Sequence, residues 1–506
     1  MPTDSAIYHK SVHSGKWLVI TALVGKAINI GTFFVLARLL VPSDYGVIGI
    51  IFIVNQFLDS VSSPGLGAAV LQKQGDIEPY LDTLWTFDLL RYGFLALVIY
   101  CTSPLIAGFF KISASQIILI KLGGCLPVIA ALGNIRQLFF FRELEYKKVF
   151  FRELAGQLAY TITAISYVWL VTPSVWALFL AYVSRYMVTM FFSYILYPSL
   201  PRFAWHFSRL RSLLRYGKWI YGQGIIDFVL GSVDKVVVGG LLNPTQLGIY
   251  SRAKDIPSII LGPVADLFGK IGFSAYVKVQ GQLAKIQIGF MRGLDVLLLI
   301  MLPFSLLMLF EGGSIVSVVL GAKWLEIVVP LKILSVANIF LGLHVMLVPL
   351  FNAVGRPDIT FKVNIVQLII SPLVFYIAIK YFQLRGAAVA TAIIWLLLVF
   401  WGIYYARPLL RLGWEHFRPT VITFGAASLA TALLAAVGHG ILHRYLTNFQ
   451  ILGWVIFLGL FYLGVVWVVG KQFAKGPVVT MQSIWHQLVS RSVVIQSGEP
   501  LVKTES

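Results

Sequence analysis

Along this chain, apolar residues gather in long blocks and the polar residues between them in short ones. A block of about twenty apolar residues, wound at about 1.5 Å per residue, crosses a hydrocarbon core of about 30 Å. Counted that way, the pattern predicts about fourteen spanning helices. They fall near residues 15–40, 44–71, 82–109, 114–140, 150–172, 174–198, 216–242, 246–276, 286–310, 326–354, 359–381, 386–406, 419–441 and 449–470. The expected fold class is an all-α integral membrane protein.

Composition agrees. Of 506 residues, 58% are hydrophobic and 12% charged, and the mean hydropathy is +0.85, outside the range of soluble domains. The start, "MPTDSAIYHKSVHSGKW", is polar, and the first apolar run is too long for the core of a signal peptide. The first span is therefore expected to stay in the mature protein. Cys101 and Cys125 both fall inside predicted spans and read as small packing residues, with no metal set around them.

The formal net charge is +19, which in a soluble protein would raise nucleic-acid binding. Placement of the basic residues argues otherwise. Lys10 and Lys16 precede the first span, Arg142, Lys147, Lys148 and Arg152 follow the fourth, and Arg202, Arg209, Arg211 and Arg215 follow the sixth. Lys278 and Lys285 follow the eighth, Arg356 and Lys362 the tenth, Arg407, Arg411 and Arg418 the twelfth, and Lys471 and Lys475 the last. The odd-numbered loops, such as "VTPS" and "NPTQ", carry few, with Lys111, Lys323, Lys380, Arg385 and Arg444 as the main exceptions. By the positive-inside rule both termini and every even loop are expected in the cytoplasm. Anionic phospholipids are the expected contacts of this charge, and no nucleic acid is.

An internal repeat supplies architecture. "GKWLVITALVGKAINIGTFFVLARLLVPSDYG" (Gly15 to Gly46) aligns without gaps to "GKWIYGQGIIDFVLGSVDKVVVGGLLNPTQLG" (Gly217 to Gly248), a shift of 202 residues. The copies share GKW at one end and LLxPxxxG, a helix-to-helix turn, at the other. Six predicted spans separate their starts, so both copies enter the bilayer from the same side. The repeat is parallel, with a pseudo-two-fold along the membrane normal, an arrangement that places a substrate path between two halves. The expected organisation is an N-terminal segment 1–14, an N-lobe 15–215, a C-lobe 216–411, two further helices in 412–470 and a cytoplasmic tail 471–506, part of which reads as an interfacial helix.

Charges inside the spans are the candidates for function, because each costs at least about 2.5–3.5 kcal/mol at a helix centre unless it faces protein or water. Asp227 sits near the middle of the seventh span, and Asp234 lies two turns further on the same face. Lys235, nearer the end, reads equally well as an interfacial snorkeller. In the first copy the position before Lys26 aligns with Asp227, so a basic and an acidic group lie at similar depth and would meet if their helices flank one cavity. The eighth span adds a polar face of Ser251, Asp255, Ser258, Gly262 and Asp266, with Arg252 and Lys254 beside it and Pro257 and Pro263 within. Asp59, Lys121 and Arg185 are further deep charges, while Asp88 and Arg91, at i and i+3, read as a self-neutralising structural pair.

No Walker loop, GxSxG or HExxH occurs, and no loop is long enough for a catalytic domain. An enzyme is not expected, and neither a cofactor nor a metal is. A secondary transporter remains. "LARLLVPSDYGVIGI", "GLGAAVLQKQ" (Gly65 to Gln74), "SVDKVVVGGLLNPTQLGIYSRA" and "NAVGRPD" (Asn352 to Asp358), in this order, resemble the polysaccharide-transport branch of the multidrug, oligosaccharidyl-lipid and polysaccharide exporter superfamily, the Wzx-type flippases. The resemblance covers roughly residues 14 to 411.

It implies two six-helix lobes forming a V around a central cavity, here with two more helices. It also implies a substrate, an undecaprenyl-diphosphate-linked oligosaccharide repeat unit moved from the cytoplasmic to the periplasmic leaflet of a bacterial inner membrane. Lys26, Arg252, Lys254 and, more weakly, Lys235 are then the expected contacts of the anionic head group. Asp227, Asp234, Asp59 and Asp255 are the expected cavity carboxylates that bind a coupling ion, H+ or Na+. A polysaccharide polymerase and chain-length machinery are the expected protein partners. The alternatives are a drug or cation antiporter of the same architecture and a membrane-embedded polymerase.

Overall fold

The computed structural model describes residues 4–267, 269, 272–442, 448–473 and 476–482, which are helical with no strand. In order the helices are α1 (Asp4–Leu39), α2 (Pro42–Ser62), α3 (Leu66–Gln72), α4 (Glu78–Phe109), α5 (Ile117–Gly123), α6 (Cys125–Ala131), α7 (Leu138–Arg142), α8 (Tyr146–Leu170), α9 (Val175–Leu196), α10 (Phe207–Leu241), α11 (Pro244–Leu267), α12 (Phe273–Lys278), α13 (Leu283–Val319), α14 (Val328–Ala353), α15 (Pro357–Leu410), α16 (Trp414–Leu442) and α17 (Asn448–Gly470).

Among the described residues, ten stretches are long and apolar enough to cross a membrane. One of them, α15, has 54 residues, about 80 Å at the α-helical rise and more than twice a hydrocarbon core. It is two passes, since Gln383 leaves helical backbone at φ 51° and ψ −133°. Helices α8, α10 and α11 are long enough to cross but are more polar than the ten. With α15 counted twice and these three added, the passes match the predicted fourteen.

Two predicted boundaries move. The second span was expected to continue to residue 71, but α2 ends at Ser62 because Pro64 and Gly65 follow, and Gly65 takes φ 67°. The fourth was expected as one helix over 114–140. Instead α6 ends at Ala131, and the chain is diverted by Asn134, whose amide donates to the Tyr197 and Ser199 carbonyls at 2.8 Å each. Of the eighth span, expected to reach 276, α11 is described to Leu267 and α12 over Phe273–Lys278, with residues between them outside the described ones. The tail helix proposed from 476 is described only over 477–482, and the rest of it lies outside the described residues, as do Arg444 and Lys475.

The chain folds as two compact units. The first holds the residues up to Ser251 with Val319–Trp324 and Ser371–Leu384; the second holds Arg252–Val318, Leu325–Ile370 and the chain from Arg385.

Within the first unit the two LLxPxxxG turns of the repeat meet. A Cβ on Gly46 would overlap the carbonyl oxygen of Pro244, and a Cβ on Gly248 would overlap that of Pro42. Residues 46 and 248 are equivalent in the repeat, as are 42 and 244, so the contact is reciprocal, the signature of a two-fold relation. Around it, Trp324 donates from Nε1 to the Ala37 carbonyl at 2.7 Å and packs edge-on against Tyr45, with ring centroids 5.5 Å apart. Arg38 donates to the Val319 carbonyl at 3.1 Å. The motif "GLGAAVLQKQ" forms α3, whose Leu66, Ala69 and Val70 are buried against Ile77, Leu81 and Leu84. In the second unit, Phe424, Ala427, Tyr462 and Val466 of α16 and α17 form a core against Leu298 and Leu302 of α13.

Gly46→Ala and Gly248→Ala each place a methyl group on a backbone carbonyl that has no free rotamer to yield. Each is expected to destabilise the purified protein by about 1–3 kcal/mol or more, the cost of overpacking, read as a lower thermal midpoint in detergent. Gly25→Ala, where a Cβ meets nothing within 4 Å, is expected to leave the midpoint unchanged.

Candidate functional site

Five of the predicted site residues, Lys26, Asp59, Asp227, Asp234 and Lys235, lie on α1, α2 and α10 of the first unit. Asp59, expected as a cavity carboxylate, is held by two donors: Arg91 Nη1 donates to its Oδ1 at 2.8 Å, and Tyr92 donates to the same oxygen at 2.9 Å. Arg91 also donates to Ser62 Oγ at 2.9 Å, lies 3.5 Å from Asp88 Oδ1, and stacks over the Tyr92 ring at 4.0 Å. The Asp88 and Arg91 pair read from the sequence is thus one side of a triad. The Arg91 side chain is 9% exposed and that of Asp59 45%, so the guanidinium is the buried anchor and one carboxylate faces outward. With two carboxylates around one guanidinium, the cluster carries one formal negative charge.

Helix α10 lies alongside this cluster. Tyr221 donates to the Val61 carbonyl at 2.7 Å and Phe228 packs on Phe57 at 5.4 Å, holding α10 to α2 over two turns. Asp227, next to Phe228, is exposed and accepts from Gln223 Nε2 at 2.8 Å. Asp234 is buried and accepts from Tyr250 at 2.9 Å and from the Lys235 backbone N–H at 2.8 Å. One carboxylate of the predicted pair therefore faces outward and the other is packed inside. Lys26 is exposed on α1, and among the described residues no ion pair joins it to Asp227. Tyr250 and Trp85 are buried; Trp85 packs on Phe203 at 5.0 Å.

In the second unit Arg252 and Asp255 form an i, i+3 pair at 3.1 Å on α11, and Lys254 between them is half-buried. Pro257 and Pro263 lie inside this helix without ending it, and Ser258 turns its hydroxyl back to the Asp255 carbonyl at 2.7 Å. "NAVGRPD" is a helix-to-helix turn: Gly355 takes φ 77°, and Arg356 makes two bonds to Asp358 at 2.9 and 3.1 Å. The motifs that carry the family resemblance thus fold largely into turns and helix contacts.

Several polar centres lie outside those expected from the sequence, although Arg185 of one of them is among the deep charges it shows. Arg136, buried in the loop before α7, donates to Glu78 at 2.6 Å and Asp82 at 3.1 Å. Burial would lower this guanidinium, but the bond it donates to Glu78 and the charge of Asp82 outweigh it and hold it above its ordinary value. The pair borders a cavity of about 1090 Å³ that also reaches Arg202 and His206. On α8 and α9, Arg152 and Arg185 converge on Glu153, at 2.6 and 3.6 Å, beside a cavity of about 360 Å³. Two further carboxylates, Asp295 and Glu311, are each buried on α13, about 24 Å apart along the helix and thus separate. These last two were legible by the criterion applied to Asp227, an acid within or next to an apolar block.

Arg91→Ala is expected to cost about 1–3 kcal/mol, less than the 3–5 of a fully buried pair because Asp59 is partly exposed. Thermal unfolding in detergent checks this. Adding Asp59→Asn to Arg91→Ala is expected to recover part of the loss, since one unpaired carboxylate is then removed.

Residues 35–329, more than half of the chain, match the family described as "Polysaccharide biosynthesis protein". The teichuronic acid biosynthesis protein TuaB of Bacillus subtilis is 23% identical over 76% of this chain and 80% of its own length. The lipopolysaccharide biosynthesis protein WzxC of Escherichia coli is 24% identical over 71% and 73%. Among solved structures, the lipid II flippase MurJ in an inward closed conformation matches with a TM-score of 0.69 over 90% of this chain and 99% of that one, at 15% identity.

Proposed function

The chain belongs to the polysaccharide biosynthesis protein family, and from that premise we propose that it is a flippase for lipid-linked oligosaccharides. Its substrate is an undecaprenyl-diphosphate-linked repeat unit, carried from the cytoplasmic to the periplasmic leaflet of the inner membrane by alternating access with ion coupling. The single observation that carries this reading is the family match joined to a multi-pass fold shared over 90% of the chain with a lipid II flippase.

Physical chemistry supports it. A sugar diphosphate taken through hydrocarbon leaves many polar groups unsatisfied, each costing several kcal/mol. A path for it needs water and fixed cations. Lys26, Arg252 and Lys254 are proposed for the head group, with Lys235 secondary, and Asp227 for the coupling ion, with Asp234, Asp59 and Asp255 in supporting positions. The exposure of Lys26 and Asp227 is compatible with such roles. The partners of Asp59 and Asp234 give these two a structural share as well. Both termini and the basic even loops lie in the cytoplasm in this reading.

A deletion strain is expected to accumulate lipid-linked repeat units in the inner leaflet. Wild type restores export, whereas Lys26→Ala or Asp227→Asn at equal expression lowers it roughly tenfold, the effect of one charge-assisted contact. Normal polysaccharide export with altered drug tolerance would instead identify an antiporter. Chain elongation of lipid-linked substrate by the purified protein would identify a polymerase.

A further inference from the structure

Helix α13 carries Asp295 in the second unit, only 4% exposed. Its Oδ1 accepts from Thr420 Oγ1 of α16 at 2.7 Å, and its Oδ2 accepts from Thr480 Oγ1 at 3.0 Å. Thr480 belongs to the short helical turn 477–482 that follows α17. One carboxyl group thus ties three separate segments together. Among the described residues no Lys, Arg or His nitrogen lies within ion-pair distance of it, in contrast to Asp59, Asp88, Asp255 and Asp358, each of which has a cation. Asp295 also lines a cavity of about 520 Å³.

Among the described residues, the charged groups facing that cavity are Arg292, one turn earlier on α13, and Glu415 and His416 at the start of α16. On the neighbouring part of α13, Tyr462 and Val466 of α17 pack against Leu298 and Leu302, outside this cavity's lining, and Lys471 at the end of α17 is turned onto the Trp467 ring at 5.0 Å. An ionised carboxylate buried in a membrane helix with hydroxyl donors alone is costly, and taking up a proton relieves that cost.

The positions of the donors fit both states. Ionised, the carboxylate receives the single proton of each threonine hydroxyl. Neutral, it carries a proton on Oδ2 and donates it to Thr480 Oγ1, whose own proton then turns to the Gly476 carbonyl, 3.2 Å away. One H+ enters from cavity water, one negative charge disappears, and no heavy atom needs to leave its place. We propose that Asp295 is a proton-binding site, loaded from this cavity, that couples proton uptake to the hold of α16 and the 477–482 turn on α13. The coupling to transport rests on the flippase reading; the proton site itself does not. By the proposed topology, the starts of α13 and α16 and the chain after α17 all lie at the cytoplasmic side, so the proton exchanges with that compartment.

The test uses the full-length protein reconstituted in liposomes and infrared difference spectra recorded across a pH step. The expected result is a protonated-carboxyl band that grows as pH falls, is lost in Asp295→Asn and shifts in Thr480→Val. Asparagine keeps the shape and both acceptor and donor capacity, and an unchanged thermal midpoint confirms that it folds. A band that persists in Asp295→Asn overturns the site. A band displaced by Na+ at constant pH shows a metal-cation site and overturns it too. For coupling, polysaccharide export in cells expressing Asp295→Asn is expected to lose the dependence on pH that wild type has. Retention of that dependence overturns the coupling. If the deletion strain never accumulates lipid-linked units, the flippase reading fails, and the infrared band decides the proton site on its own.

Discussion

The first unit depends on a close approach that only glycine permits. Where Gly46 meets Pro244 and Gly248 meets Pro42, two helix-to-helix turns lie backbone on backbone. Packing at this distance sets the spacing of the four helices that enter the turns, α1, α2, α10 and α11. The surrounding polar contacts follow from it: Trp324 and Arg38 satisfy carbonyls at the end of α1 and on the neighbouring segment, which would otherwise be unpaired in a membrane. It also explains why a helix that opens the second sequence copy, α10, is found among the helices of the first unit.

That contact was partly legible. The repeat was found from GKW and LLxPxxxG, and the turn was read from Gly and Pro, but nothing in one chain of letters said that the two turns touch. The spans were legible because length and apolarity are local properties. Their breaks were less so. Pro64 and Gly65 are visible signals that the end of α2 obeys, whereas the end of α6 depends on Asn134 reaching carbonyls more than sixty residues away. Gln383 gives no sign in its residue type that it takes a left-handed backbone.

Charges divide the same way. A deep carboxylate is easy to pick from an apolar run, and Asp59, Asp227 and Asp234 were picked. Their partners were not readable, because Arg91, Gln223 and Tyr250 are supplied by other turns or other helices. The general result is that most acids here are held by something specific, a guanidinium, a tyrosine or a pair of threonines. Exposure then separates candidates: Lys26 and Asp227 face outward, and Asp234, Asp295 and Glu311 do not.

The early end of α6 has an effect on the lipid. The stretch from Ala114 to Ala131 has 18 residues, about 27 Å of helix, while a hydrocarbon core is about 30 Å thick. Neighbouring α4, with 32 residues, has length to spare. Acyl chains beside the short stretch meet a protein surface that is apolar over less than their full depth. Hydrophobic mismatch of this sign is relieved by local thinning of the bilayer, at a fraction of a kcal/mol per ångström. The protein therefore shapes the membrane at this edge, drawing the two leaflets closer together than they lie elsewhere around it.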